Sequence, residues 1–167
     1  TYTYNLCDGS LLPQNTTTKY PIWATSDGIL TINSNTTNTT NQMWWHDSQH
    51  GIVITNGTSI RIVVPGSSTS SFRCCQYSVA GAVYNLTDST GNTLGSISAT
   101  DKGVGACTSH SYIYKGDATI ITATLVATGS VYLSNVVVKN EKAKTKMIDV
   151  WDFGAEKMDT TKYNNMM

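Results

Sequence analysis

The chain has 167 residues, no formal net charge at pH 7, and only 13% charged and 9% aromatic residues. That length buries about 70% of its unfolded surface in one self-sufficient core. The scattered Lys and Arg offer no basic face, so nucleic acid and anionic membrane are both disfavoured as partners.

No apolar run approaches the roughly 20 residues that span a bilayer, and the first residues lack a charged region followed by an apolar one, so the sequence reads as a mature, soluble piece. Thr, Asn, Ser and Gly are abundant, and Glu occurs only at Glu141 and Glu156. With no long Leu/Ala/Glu/Lys tract, the class is all-β.

In chain order, β-rich runs recur at 2–6, 28–33, 51–55, 58–64, 71–77, 82–87, 93–99, 111–115, 118–127 and 130–139, about ten strands. Asn56-Gly57 predicts a two-residue hairpin between the third and fourth runs, and 88–92 and Thr128-Gly129 predict two further turns. Alternation sends Ile60, Ile62 and Val64 inward and Ser59 and Arg61 outward. In the last run, Val131, Leu133 and Val137 are expected inside, with Tyr132 and Ser134 outside. Two such sheets packed face to face make an antiparallel two-sheet β-sandwich of jelly-roll type. After Asn140 comes a charged stretch at 141–146, and then the aromatic stretch Met147 to Glu156. The sandwich module is therefore placed at 1–140. The remainder, 141–167, reads as a linker and the start of a following module, or as a C-terminal segment packing back on the sandwich.

Cys7, Cys74, Cys75 and Cys107 lack the C-x-x-C spacing of a metal site, and an even count with so little charge suits an oxidising, extracellular setting. Cys74 and Cys75 point to opposite faces of a strand. A disulfide from one of them to Cys107 or Cys7 is one expectation, and buried thiols are the other. Five Asn-x-Thr sequons, at Asn15, Asn35, Asn38, Asn56 and Asn85, matter only if the source glycosylates.

The most expressive stretch is Trp44-Trp45-His46-Asp47-Ser48-Gln49-His50-Gly51, which holds two of the four tryptophans and two of the three histidines. In a continuous strand His46 and His50 lie about 13 Å apart, which disfavours a shared metal ion. Sugar recognition asks for a flat ring to stack on a pyranose and for polar groups to meet its hydroxyls; Trp44, Trp45, His46, Asp47, Gln49 and His50 supply both. An extended backbone turns one Trp into the core and leaves the other outside. Core packing of both is the competing reading. Arg73, like Arg61, is a candidate fork for a uronate carboxylate, and Tyr112 is a secondary aromatic candidate beside Trp23 and Tyr114. No pair of carboxylates suited to glycosidase chemistry and no G-x-S-x-G elbow is present, so no catalytic residue is assigned and no enzyme activity is expected.

Tyr4-Asn5-Leu6-Cys7-Asp8-Gly9-Ser10, Ser26-Asp27-Gly28-Ile29-Leu30, His46 to Gly51, Cys75-Gln76-Tyr77-Ser78 and Tyr114-Lys115-Gly116-Asp117-Ala118-Thr119 together resemble non-catalytic, carbohydrate-binding-like β-sandwich modules of large secreted bacterial polysaccharide-degrading enzymes, particularly pectate lyases. The tail, with Val150 to Glu156 and Lys162 to Met166, is similar to the start of the next module in such proteins. The chain departs from the pattern at Trp44-Trp45 and at the extra cysteine Cys74. The resemblance implies a secreted accessory module that binds plant cell-wall polysaccharide, with pectin foremost, as part of a longer polypeptide and as a monomer. A structural spacer or protein-interaction module without glycan binding is the alternative. It also implies a structural calcium, for which Asp8, Asp27 and Asp117 are the candidate ligands.

Overall fold

The computed structural model describes residues 1–78, 81–99 and 107–141. Apart from Glu141, the stretch read as a linker and following module lies outside the described residues. The strands run β1 Tyr2–Asn5, β2 Ile22–Ala24, β3 Leu30–Asn33, β4 Trp44–Asp47, β5 Gly51–Ile54, β6 Ser59–Val64, β7 Ser68–Gln76, β8 Ala82–Thr87, β9 Thr93–Ala99, β10 Thr108–Tyr114, β11 Thr119–Val126 and β12 Val131–Asn140. They form two six-stranded sheets, and every pairing is antiparallel. The first has the order β10-β7-β12-β5-β4, with β1 also on β12; the second has the order β2-β3-β6-β11-β8-β9. From β5 onward the chain crosses between sheets at almost every connection, β8 to β9 excepted. This is the expected antiparallel sandwich of jelly-roll type.

Period-two patterning builds the core. Leu30, Ile32, Ile60, Ile62, Ala123 and Leu125 of the second sheet face Ile52, Ile54, Phe72, Leu133, Val136 and Val138 of the first, all buried. Each large aliphatic side chain taken from water in this way contributes about 1.5–3 kcal/mol. Arg61 and Val63 stay exposed on the outer face of the second sheet, as β6 alternation requires.

β12 is the spine of the first sheet. One of its edges pairs with β7; the other is shared, with β5 on 131–133 and β1 on 135–138. The changeover falls at a bulge at Ser134. The bulge corrects one expectation. It shifts the alternation by one residue, so Val136 and Val138 enter the core and Val137 lies on the outer face, half-buried.

The turns also differ from expectation. Asn56-Gly57 does turn, with Thr58 N–H donating to the Thr55 carbonyl, but β5 and β6 belong to different sheets, so it is a crossover and not a hairpin. Only Gly57 of the pair has positive φ, whereas the predicted turn type requires it at both residues. Asn56 instead accepts from Ala127 N–H through its side chain, pinning the crossover to the end of β11. Thr128-Gly129 likewise joins β11 to β12 across the sheets. The 88–92 turn is a true hairpin between β8 and β9, held by the Asp88 carboxylate accepting from Thr90 and Asn92.

Candidate functional site

The chemistry gathers on the outer face of the first sheet, and cross-strand register explains why. Trp44 on β4 stands opposite Val53 on β5, Val53 opposite Tyr132 on β12, and Tyr132 opposite Cys75 on β7. This row crosses four neighbouring strands on the side away from the core. Val53, Tyr132, Cys75 and Cys107 are buried there as a small second cluster, with Trp44 and Tyr77 packed against it. A Cys75–Cys107 disulfide ties β7 to the start of β10 beneath these rings. Cys74 faces the core and Cys7 is half-buried, so the strand alternation predicted for the Cys74-Cys75 pair holds.

Trp44 and Trp45 divide as alternation demands. Trp45 is in the core, and its indole N–H donates to the Cys7 carbonyl at 3.0 Å. Trp44 lies on the outer face, half-buried, with Lys19 Nζ 5.0 Å above its ring and His46 5.2 Å away.

After β4 the chain reverses through Ser48-Gln49-His50 and re-enters the sheet at Gly51, which pairs with Asp47. Gly51 has φ +85°, and a Cβ there would run into the Leu133 carbonyl, so this position requires glycine. Asp47 holds the turn together: its Oδ1 accepts from the backbone N–H groups of Gln49 at 3.0 Å and His50 at 2.7 Å. The reversal corrects the argument from strand spacing. His46 and His50 do not lie along one strand; they sit on opposite sides of a tight turn with ring centroids 6.3 Å apart. His46 Nδ1 is 2.9 Å from Asp47 Oδ2, and His50 Nδ1 is 2.9 Å from both Asp47 oxygens.

Tyr132 is the floor of the site. His50 stacks on it at 4.4 Å and 19°, and His46 meets it edge-on at 5.1 Å, with Nε2 3.5 Å from the hydroxyl. The Ser134 hydroxyl donates to the His50 carbonyl at 2.8 Å, fixing the turn to the β12 bulge. Partial burial raises the Asp47 carboxyl, but hydrogen bonds from the His50 ring and backbone, then from His46 and Gln49, outweigh it and bring the pKa down to about 2. The Tyr132 phenol is pushed up by burial and by the Asp47 charge.

Of the candidates read from the sequence, the structure brings Trp44, His46, Asp47 and His50 together. Gln49 is exposed at the turn tip. Arg73 is exposed on the same outer face, one alternation along β7 from Cys75. Tyr112 is on the other side of its sheet, packed against the core with its hydroxyl donating to the Leu94 carbonyl, so it does not join the cluster. Arg61 belongs to the other sheet. Asp8, Asp27 and Asp117 lie in separate turns. The Asp8 carboxylate accepts from Ser10, and the Asp27 carboxylate accepts from Thr25, Ile29 and the Tyr4 hydroxyl. Among the described residues, the group of His, Cys, Asp or Glu side chains close enough to share an ion is His46, Asp47 and His50. Tyr77 and Tyr132 were missed as site residues. The outward position predicted for Tyr132 carried the signal.

A cleft of about 310 Å³ opens at one end of the sandwich, lined by Thr36, Asn41, Thr55, Asn56 and 128–130. It is polar and holds no aromatic ring.

Neither a protein-family model nor a curated protein matches the chain. Solved structures that it resembles include carbohydrate-binding modules and, over 22% of that chain, the catalytic domain of an alpha-1,3-glucanase. The C-terminal family 6 module of a marine laminarinase from Zobellia galactanivorans aligns with a TM-score of 0.46 at 15% identity, over 83% of this chain and 98% of that one. A second family 6 module gives 0.46 at 18% identity, over 74% and 95%. A family 36 module in complex with calcium and xylotriose gives 0.41 at 16% identity, over 53% and 80%.

Proposed function

We propose that this chain is a non-catalytic carbohydrate-binding module of a secreted polysaccharide-degrading protein, and that it holds its parent on plant cell-wall polysaccharide, pectin foremost. One observation carries the reading: register and a tight turn place a half-exposed indole, Trp44, beside His46, Asp47 and His50 on one outward sheet face. An indole offers an apolar surface to the C–H face of a pyranose, and the imidazole and carboxylate edges meet its hydroxyls. The polar end cleft lacks the ring and is the weaker candidate. Lys19 and Arg73 on the same face favour an acidic chain, since a uronate carboxylate pairs with either cation. Association with a pectate lyase is part of the same proposal. The Cys75–Cys107 disulfide supports a secreted setting, because such bonds persist in oxidising compartments. Tethering of this sort raises local substrate concentration, so weak affinity suffices.

Calorimetry and affinity electrophoresis against homogalacturonan, xylan and cellulose test the proposal. Binding to homogalacturonan that is lost in Trp44→Ala and weakened in Arg73→Ala is the expected result. No binding to any of the three sinks it. A second reading, a structural or protein-interaction module, is favoured by the interlocking of Trp44 and Tyr77 with buried Tyr132 and the disulfide. On that reading Trp44→Ala lowers the melting temperature and touches no glycan affinity.

A further inference from the structure

We infer that His46, Asp47 and His50 form a binding site for a divalent first-row transition metal, zinc foremost, with one coordination position open to solvent. The candidate ligand atoms, one from each residue, all lie within 4.8 Å of one another. Around a tetrahedral zinc, with bonds of about 2.0–2.2 Å, neighbouring ligand atoms stand roughly 3.3–3.5 Å apart. The observed separations of 2.9 Å from each imidazole to Asp47 open slightly, and the two imidazole nitrogens, within 4.8 Å of one another, draw together, to admit the ion. Two imidazoles and one carboxylate suit zinc and its neighbours better than calcium or magnesium, which prefer all-oxygen sites.

Part of the support around the three ligands is already built, although the buried His50 Nε2 has no hydrogen-bond partner among the described residues. Asp47 Oδ1 accepts two backbone N–H groups and fixes the carboxylate, while Oδ2 faces both imidazole Nδ1 atoms across the place an ion would take. The Tyr132 hydroxyl, 3.5 Å from His46 Nε2, stands where it can accept from Nε2–H once an ion takes the place of the proton on Nδ1. Stacking on Tyr132 holds the His50 ring in place. Side-chain exposure rises from 12% at His50 through 28% at His46 to 38% at Asp47, so the site is walled on the β12 side and open on the other. The open position takes water, or an oxygen of a bound ligand.

The inference stands apart from the glycan reading, because its test contains no glycan. The full chain, stripped with EDTA and dialysed, is titrated with zinc chloride by calorimetry, and cobalt(II) is added in parallel as a spectroscopic probe. One saturable site is expected, with visible cobalt bands of a four-coordinate N/O site. A rise in melting temperature of roughly 5–10 °C is expected when zinc exceeds its Kd about a hundredfold. His46→Ala and Asp47→Asn, both at solvent-facing side chains, are expected to weaken zinc by roughly tenfold or more. Cys7→Ser and His110→Gln leave it unchanged. Absence of saturable binding overturns the inference. So does binding that survives both His46→Ala and Asp47→Asn, or that is lost in Cys7→Ser or His110→Gln.

Discussion

The two faces of the first sheet bury side chains of opposite character. Inward, Ile52, Ile54, Phe72, Leu133, Val136 and Val138 make an almost wholly hydrocarbon contact with the second sheet. Outward, the same strands cover Val53 and a disulfide with Tyr132, Tyr77, Trp44 and two imidazoles. The inner layer maximises apolar area and carries most of the stability. The outer cluster spends burial on rings with polar edges and gathers a carboxylate among them, which is poor economy for stability alone and good chemistry for binding. Substitutions in the two layers therefore separate. Phe72→Ala, which empties a fully buried ring site beside Tyr84, is expected to cost about 3–5 kcal/mol in urea unfolding and to leave the outer face intact. An equal loss from Trp44→Ala would erase the distinction.

The disulfide belongs to both regions and comes next in size. Cys75 and Cys107 are 32 residues apart, and opening that loop by a Cys75→Ser, Cys107→Ser double substitution is expected to cost about 2–4 kcal/mol. Because Cys75 pairs with Tyr132, the same change should loosen the outer cluster more than the core, visible as earlier amide exchange at 131–133 than at β11.

Adjacent tryptophans give the sharpest form of the comparison. Trp45→Ala falls with the core substitutions at about 3–5 kcal/mol, since it also strands the Cys7 carbonyl. Trp44→Ala removes one cation–π contact and the edges of two rings, roughly 1–2 kcal/mol, and on the proposed function abolishes glycan binding.

Much of this was legible from the sequence. All ten β-rich runs became strands, because each had β-branched alternation and turn residues at its ends. The two strands not foreseen, β2 and β4, sit at sheet edges and are three and four residues long. A short edge strand pairs on one side only, so its sequence need not show burial on two faces. The split of Trp44 from Trp45 also follows from alternation alone. What pattern could not supply was the vertical placement of chain segments: which sheet follows Asn56-Gly57, where the β12 bulge resets the faces, and that Gly51 lets the chain fold His50 back toward His46. Each depends on a contact with a distant segment, Leu125, β1 or Leu133, that no local window contains.

The smallest expected effect probes how the turn is held. Asp47 has its carboxyl lowered from an ordinary 3.8 to about 2 by its hydrogen bonds to the turn and the imidazoles. A carboxylate depressed in the folded state adds stability above its unfolded pKa, and that stability drains away as pH falls through the folded one. The contribution of Asp47 is thus complete above about pH 5 and declines between roughly pH 4 and pH 2. With its side chain 38% exposed, solvent screening holds it to about 1 kcal/mol or less. Melting temperatures of the wild type and Asp47→Asn measured across this range, at fixed salt and with EDTA present, should differ by a constant amount at neutral pH and converge toward pH 2. Curves that stay parallel down to pH 2 would mean that the carboxylate charge does not hold the turn, and that the outer cluster rests on ring packing alone.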